Sequence, residues 1–375
     1  MIISPLLPEI GRTLSIDDAV LGTLVSAYSL MVGLFAILSG PVSDRIGRRR
    51  MLLLGTGTMT LALAAHQAVD SYASFLAVRV FAGIAGGMLS GAAVSYVGDY
   101  FPYERRGWAT GWVMSGSAFG QIAGVPLGVI LADHFGFRAP FAMFAVAMAL
   151  TFLLIFTRVP QPDVRRTRSL TLASAIAGYA DMLRRREIVS AAAAYFTMFM
   201  GVAFFVVYLP TWLERALGAT PSQIAALFLV GGVANVLTGP RAGHLSDRVG
   251  RKRIILGSCV GLSIVMALTT VVTVDMWVAY PMFFLTMVLV AMRISPFSAL
   301  LTALVSDERR GSLMSFAVAL GQVGFAVGAA AAGPLFSAYG YASTTWLAGV
   351  FVLAMGVIVW FRIPEPAVPS TAPMS

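Results

Sequence analysis

Eleven runs of apolar residues divide this chain, near 20–42, 51–69, 73–98, 107–132, 139–157, 188–212, 222–243, 254–273, 276–304, 312–336 and 343–361. A helix needs about 20 residues to cross a hydrocarbon core, so each run has the length of a membrane span. The runs are continuously apolar, whereas strands of a membrane barrel alternate polar and apolar over roughly ten residues. Composition agrees. The chain is 58% hydrophobic and 11% charged, while a soluble domain carries roughly a quarter charged residues. The expected fold is an all-α integral membrane protein with about 11 full spans.

The net charge of +9 raises nucleic acid as a partner, and the positions of the 26 Lys and Arg exclude it. Counting alternate connections as one side, the turns at 45–50, 105–106, 158–186, 241–253 and 309–310 and Arg362 hold 21 of them. The opposite connections hold three: Arg12, Arg138 and Arg215. Such a split follows from the positive-inside rule, and no basic stripe lies elsewhere. The basic turns and the C-terminus are therefore expected in the cytoplasm. Cys259, the only cysteine, falls within a span, so no disulfide framework or zinc spacing exists. No metal site or cofactor is expected. The three His and the acids do not cluster as an enzyme centre would, and no phosphate loop of the G-x-x-x-x-G-K-[ST] type occurs.

The chain repeats itself. SDRIGRRR at 43 returns as SDRVGRKR at 246, ERRG at 104 as ERRG at 308, Gly120 and Gly124 as Gly324 and Gly328, and FGF at 135 as YGY at 339, each at an offset of 203 or 204. A constant offset over this length implies two homologous bundles, expected at 1–157 and 188–362. The linker 158–187 carries Leu172, Ile176, Tyr179 and Leu183 at helical spacing with Arg at both ends, the pattern of an interfacial helix on an anionic leaflet or of a solvated basic linker. Residues 363–375 are Pro-rich and expected to be disordered. Before its basic turn the second half has a full span, and the first has only MIISPLLPEIGRTL. Most of a first span is thus expected to be missing, through a late start codon or a genuine fragment.

In the repeated turn, Gly40 and Gly47 permit close packing and an unusual backbone angle, while Asp44 can face a helix N-terminus and pair with Arg. Gly40, Asp44, Arg45, Gly47 and Arg48, with Gly243, Asp247, Arg248, Gly250 and Arg251, are read as two copies of an ionic latch. Ionisable groups at membrane depth are costly and default to function. Arg79 and Arg293 are the two basic residues deep inside spans, and all seventeen acids are read as lying in or beside loops. Tyr28, Trp112, Gln121, Tyr195, Phe199, Asn235 and Gln322 are, with Arg293, candidates for lining a substrate cavity. His66 reads as a packing or lipid-interface histidine.

The pattern of the two turns resembles the loop between the second and third helices of the major facilitator superfamily, and the likeness covers nearly the whole chain. It implies two pseudo-symmetric six-helix bundles that rock about a central cavity, lined by the first, fourth, seventh and tenth helices. RVFAGIAGG at 79–87 resembles the Arg and Gly pattern of the family's proton-coupled exporters. GSAFGQIAGVPLG at 116–128 resembles the fifth helix of its drug and sugar exporters, most closely the sugar-efflux and chloramphenicol-resistance-like branch. Arg79, Gly83, Gly120, Gly124, Pro126 and Gly128 then act in coupling or gating. Gly at a spacing of four lets helices touch backbone to backbone, and Pro126 bends its helix. Val129 stands where the second Gly of the usual closing pair would be, which departs from the classical antibiotic exporters.

The resemblance implies a monomeric, multi-pass carrier of the bacterial inner membrane. Its partners would be a small-molecule substrate, protons and the lipid bilayer, and the proton gradient would drive export by antiport. An uptake carrier for a sugar or organic acid, and a sensor that keeps the fold without transporting, are the alternatives.

Overall fold

The computed structural model describes residues 2–102, 105, 108–109, 112–113, 115–116, 119–161, 180–181, 183–304 and 307–364. Among the described residues there are helices and no strands. The first half contains α1 (Ile3–Leu14), α2 (Asp18–Ile46), α3 (Arg48–Ala65), α4 (Tyr72–Tyr100), a π-helical turn (Gly120–Gly124), α5 (Val125–Phe135) and α6 (Arg138–Arg158). The second contains α7 (Arg186–Val206), α8 (Leu209–Leu217), α9 (Pro221–Val249), α10 (Arg251–Val272), α11 (Met276–Thr302), α12 (Asp307–Tyr339) and α13 (Tyr341–Arg362). Nine helical segments among the described residues are long and apolar enough to cross a membrane. Of the other two expected runs, 51–69 forms α3, whose first turn is Arg48–Arg50, and 107–132 falls partly outside the described residues. Most of the linker and the 365–375 tail also lie outside them, so neither the interfacial helix nor the tail is described.

The internal repeat reappears in how the helices start. The chain crosses alternately between a basic end, which holds the Arg-rich turns, and a far end. At the far end α2 and α9 are capped by Asp17 and Thr220, and α4 and α11 by Ser71 and Asp275. Each capping oxygen accepts one of the first backbone N–H groups, which otherwise lack partners. At the basic end Gly47 and Gly250 take φ of 100° and 106° between consecutive helices, a region that only glycine enters at low cost. Gly136 and Gly340 do the same at the far end, with φ of 82° and 72°. All four pairs keep the offset of 203 or 204.

Within the first half α2 packs on α4, and α3 on α4 and α6; within the second, α7 packs on α12 and α13, α9 on α11, and α10 on α11 and α13. Among the described residues the halves meet where α2 packs on α12, α5 on α9 and α1 on α8. Glycine permits the close approach: a Cβ at Gly22 would collide with the carbonyl of Ala329, and one at Gly333 with that of Ala19. Before Pro126, where a bend is expected, the backbone leaves the α-helix as a π turn. Pro126 has no N–H to give and its ring crowds the carbonyl of Ile122. The ladder slips by one residue, and the Val125 N–H reaches the Gly120 carbonyl. In the second half Ala330 occupies the matching place and α12 runs on as a single α-helix.

Candidate functional site

The two copies of the basic turn differ in their partners. In the first, the Arg48 guanidinium bonds the Asp99 carboxylate at 2.5 Å and the Ser43 hydroxyl at 3.0 Å. Its neighbour Arg49 donates to the Phe156 carbonyl at 2.6 Å. In the second, Arg251 pairs at 3.1 Å with Asp247, one helical turn away. The cause is one residue. Asp99 near the end of α4 maps by the repeat onto Ala303, so the second copy lacks the counterpart of Asp99, and Arg251 bonds Asp247 and the Ala299 carbonyl. Arg45 and Arg248 are exposed, and the side chain of Asp44 lies outside the described residues. For the latch assignment, Asp44→Ala is expected to reduce transport at least tenfold while the protein still reaches the membrane. Transport at the parent rate in vesicles with matched protein content would remove Asp44 from the latch.

Arg79 is buried between α4 and α2, where its Nε donates to the Leu24 carbonyl at 3.1 Å. Its guanidinium carbon lies 4.3 Å from the centre of the Tyr28 ring. A delocalised cation over an aromatic face gains electrostatic attraction in a dry site. Gly83 and Gly87 bring the two helices together: a Cβ at Gly83 would stand 2.7 Å from Met31 Cβ, and one at Gly87 2.6 Å from Phe35 Cβ. Gly128 is equally closed, against Ile2. At Gly116 and Gly120 the expected backbone contact is not seen among the described residues, none of which lies within 4 Å of a Cβ built on either. A Cβ at Gly124 would meet the Phe144 ring only at ordinary contact distance, 3.8 Å.

The cavity candidates form two small groups. Gln121 and Asn235 meet across the α5/α9 seam at 3.4 Å. Tyr195 and Phe199 stack at 5.4 Å on α7, and Gly321 lies against both. Gln322, the next residue of α12, packs by its Cβ against Gly33 of α2. Tyr28 belongs to Arg79 instead, and Trp112 is exposed. Arg293 does not line open space: it is fully buried, with Cys259 beside its guanidinium. His66 is a packing residue, with Nδ1 2.8 Å from the Ala62 carbonyl and its ring stacked 3.9 Å from that of Phe141.

Sequence reasoning missed the far end. Arg12 of α1 pairs with Glu214 of α8, and Arg215 of α8 with Asp18 of α2. Two of the three Arg on the loop-poor side thus bridge the halves. Their count was visible in the sequence, but their partners lie some 200 residues away. Both Arg side chains are more than half exposed, at 63% and 58%, and such pairs contribute roughly 0–1 kcal/mol at most. Beside them a cavity of about 270 Å³ opens between α1, α5, α8 and α9, lined among others by Pro5, Glu9, Arg12, Asp133 and Glu214. Glu9 corrects the expectation that every acid sits in or beside a loop, because it lies inside α1 and is half-buried. On the basic side of the Gln121–Asn235 contact, nothing among the described residues lies within 4 Å of a Cβ built on Gly116, Gly120 or Gly239.

Two bundles related by an internal repeat and bridged by ion pairs at the far end are the architecture of a membrane carrier. Comparisons with known proteins agree. The family model described as Major Facilitator Superfamily matches residues 1–215 and 191–374. The chain is 26% identical to the uncharacterized MFS-type transporter YwfA of Bacillus subtilis, over 92% of this chain and 83% of that one. It is 25% identical to the multidrug resistance protein MdtG of Proteus mirabilis, over 97% and 92%. Among solved structures it is similar to a D-xylose-proton symporter with a TM-score of 0.82 at 19% identity, covering 97% of this chain and 94% of that one. The chain is a transporter of the Major Facilitator Superfamily.

Proposed function

We propose that this carrier exports small molecules by proton antiport, with the two halves alternating between a state open at the basic end and one open at the far end. The observation that carries the reading is the asymmetry of the seams. Ion pairs between the halves hold the far end, while among the described residues nothing lies within 4 Å of a Cβ built on Gly116, Gly120 or Gly239, on the basic side of the Gln121–Asn235 contact. Those glycines have the smallest possible surface where helices must meet once the basic end closes. The distribution of Arg supports a cytoplasmic basic end, and with it the reading of this state as the one that loads an exported compound. Export, rather than uptake, is supported by the one-sided bend at Pro126 and by the relatives that are multidrug resistance proteins.

The deciding experiment is efflux of a panel of drugs, sugars and metabolites from cells carrying the protein, with and without a proton uncoupler. Accumulation should fall for at least one compound, and the uncoupler should restore it. Inward accumulation of a sugar or acid would replace this reading with the uptake carrier, and no movement of any compound would favour a sensor.

A further inference from the structure

The passage from α7 to α8 is broken at Tyr208, whose φ of −100° and ψ of 3° are not helical. The cause is Pro210, which has no N–H for the carbonyl of Val206 and whose ring crowds it. The Tyr341 hydroxyl donates to the adjacent Phe205 carbonyl at 2.5 Å, which satisfies another backbone acceptor at the break. Freed from the helix, Tyr208 crosses into the first half. Its hydroxyl accepts the Gly22 N–H at 2.8 Å and donates to the Asp18 carbonyl at 2.5 Å. In an ordinary helix these two groups would bond each other, residue i to i−4. The tyrosine therefore engages both ends of one rung in the first turn of α2.

The socket is made by one glycine from each half. A Cβ at Gly22 would stand 3.1 Å from the Tyr208 oxygen, and one at Gly333 2.8 Å from it. The ring stacks on Phe336 at 4.8 Å, and the whole side chain is buried. By the repeat, the first-half counterpart of Tyr208 is Pro5, which lines the far-end cavity instead of filling a seam.

We propose that Tyr208 is a positioning residue of the transport cycle, a bolt that holds the far end shut at the α2/α12 seam. Its chemistry suits a bolt that must open. When the hydroxyl withdraws, the Gly22 N–H and the Asp18 carbonyl still have each other, because α2 is helical from Asp18, so no polar group is orphaned, and the phenol meets water as the far end parts. Neither end state carries the penalty of an unsatisfied buried group. The proposal rests on the alternating-access part of the reading above and not on any substrate.

The test uses spin labels at Ala68→Cys and Val274→Cys, exposed far-end positions of the two halves, in a Cys259→Ser background that removes the only native cysteine. Tyr208→Phe deletes the hydroxyl and keeps the ring. Loss of a buried bridging hydroxyl should raise the long-distance population about 3- to 10-fold, with the midpoint of thermal unfolding little changed. Tyr341→Phe, which removes an equally buried hydroxyl inside one half, should leave the distances as they were. An unaltered distribution in Tyr208→Phe, or an equal shift in both variants, overturns the assignment. Because the distances need no substrate, an inactive efflux panel would count against the exporter reading and leave this result standing.

Discussion

Asp99→Ala and Arg48→Ala should each lower transport by tenfold or more, and the double variant should be no worse than the poorer single. The reason lies in the setting of the pair. Both side chains are mostly enclosed, exposed by only 15% and 24%, and the bond is charge-assisted at 2.5 Å. Removing one partner takes a charge-assisted bond from the other in a largely enclosed place, and such a loss exceeds what the pair contributes when intact. Because the groups act as a unit, their effects do not add; a coupling of about 1–2 kcal/mol is expected in a double-mutant cycle. The same substitution at Asp247 should do less, since that carboxylate is 58% exposed and its bond to Arg251 spans one turn of the same segment. The cycle is measured as initial efflux rates in cells with matched membrane content. Additive losses would mean that Arg48 and Asp99 act separately.

The second large effect is expected at Arg79. Arg79→Leu should lower transport by roughly a hundredfold, and Arg79→Lys should recover only a small part. The guanidinium does two things at once: its Nε donates to the Leu24 carbonyl, and its plane lies over the Tyr28 ring. A Lys ammonium is a point charge and cannot donate sideways to a carbonyl while a flat cation covers the ring. Tyr28→Leu removes only the ring contact, worth about 0.5–2 kcal/mol, so a loss of severalfold is expected there. If Arg79→Lys transports like the parent, charge alone suffices and the two-contact account of Arg79 is wrong.

Much of the fold was legible because it rests on local chemistry. A glycine before a run of Arg signals a turn that only glycine makes, and Gly47 and Gly250 take that conformation in both halves. Pro126 after Gly124 signals a bend, and the backbone there slips into a π turn. The constant offset carried further than the motifs that revealed it, since the helix caps Asp17 and Thr220 also obey it. What stayed hidden depends on pairs set by tertiary placement. Asp99 looks like any acid at a helix end until α3 brings Arg48 beside it. Tyr208 looks like core filler, and only the break at Pro210 turns its hydroxyl into α2. Arg293 shows the opposite failure. Its depth in a span marked it as a cavity residue, but depth does not fix the face, and its helix packs it inward beside Cys259. Gly120 is a related case: its spacing implied tight packing, and among the described residues nothing lies within 4 Å of a Cβ built on it.

The central claim is that the two ends open in alternation, and paired distances test it most directly. One label pair, Ala68→Cys with Val274→Cys, spans the far end; a second, Thr157→Cys with Val249→Cys, joins exposed positions of the two halves at the basic end. Measured in liposomes over a range of pH and in the presence of any exported compound, the populations should change in opposite senses: whenever the far-end distance lengthens, the basic-end distance shortens. Distances that stay fixed at both ends, or that lengthen at both together, would contradict the account.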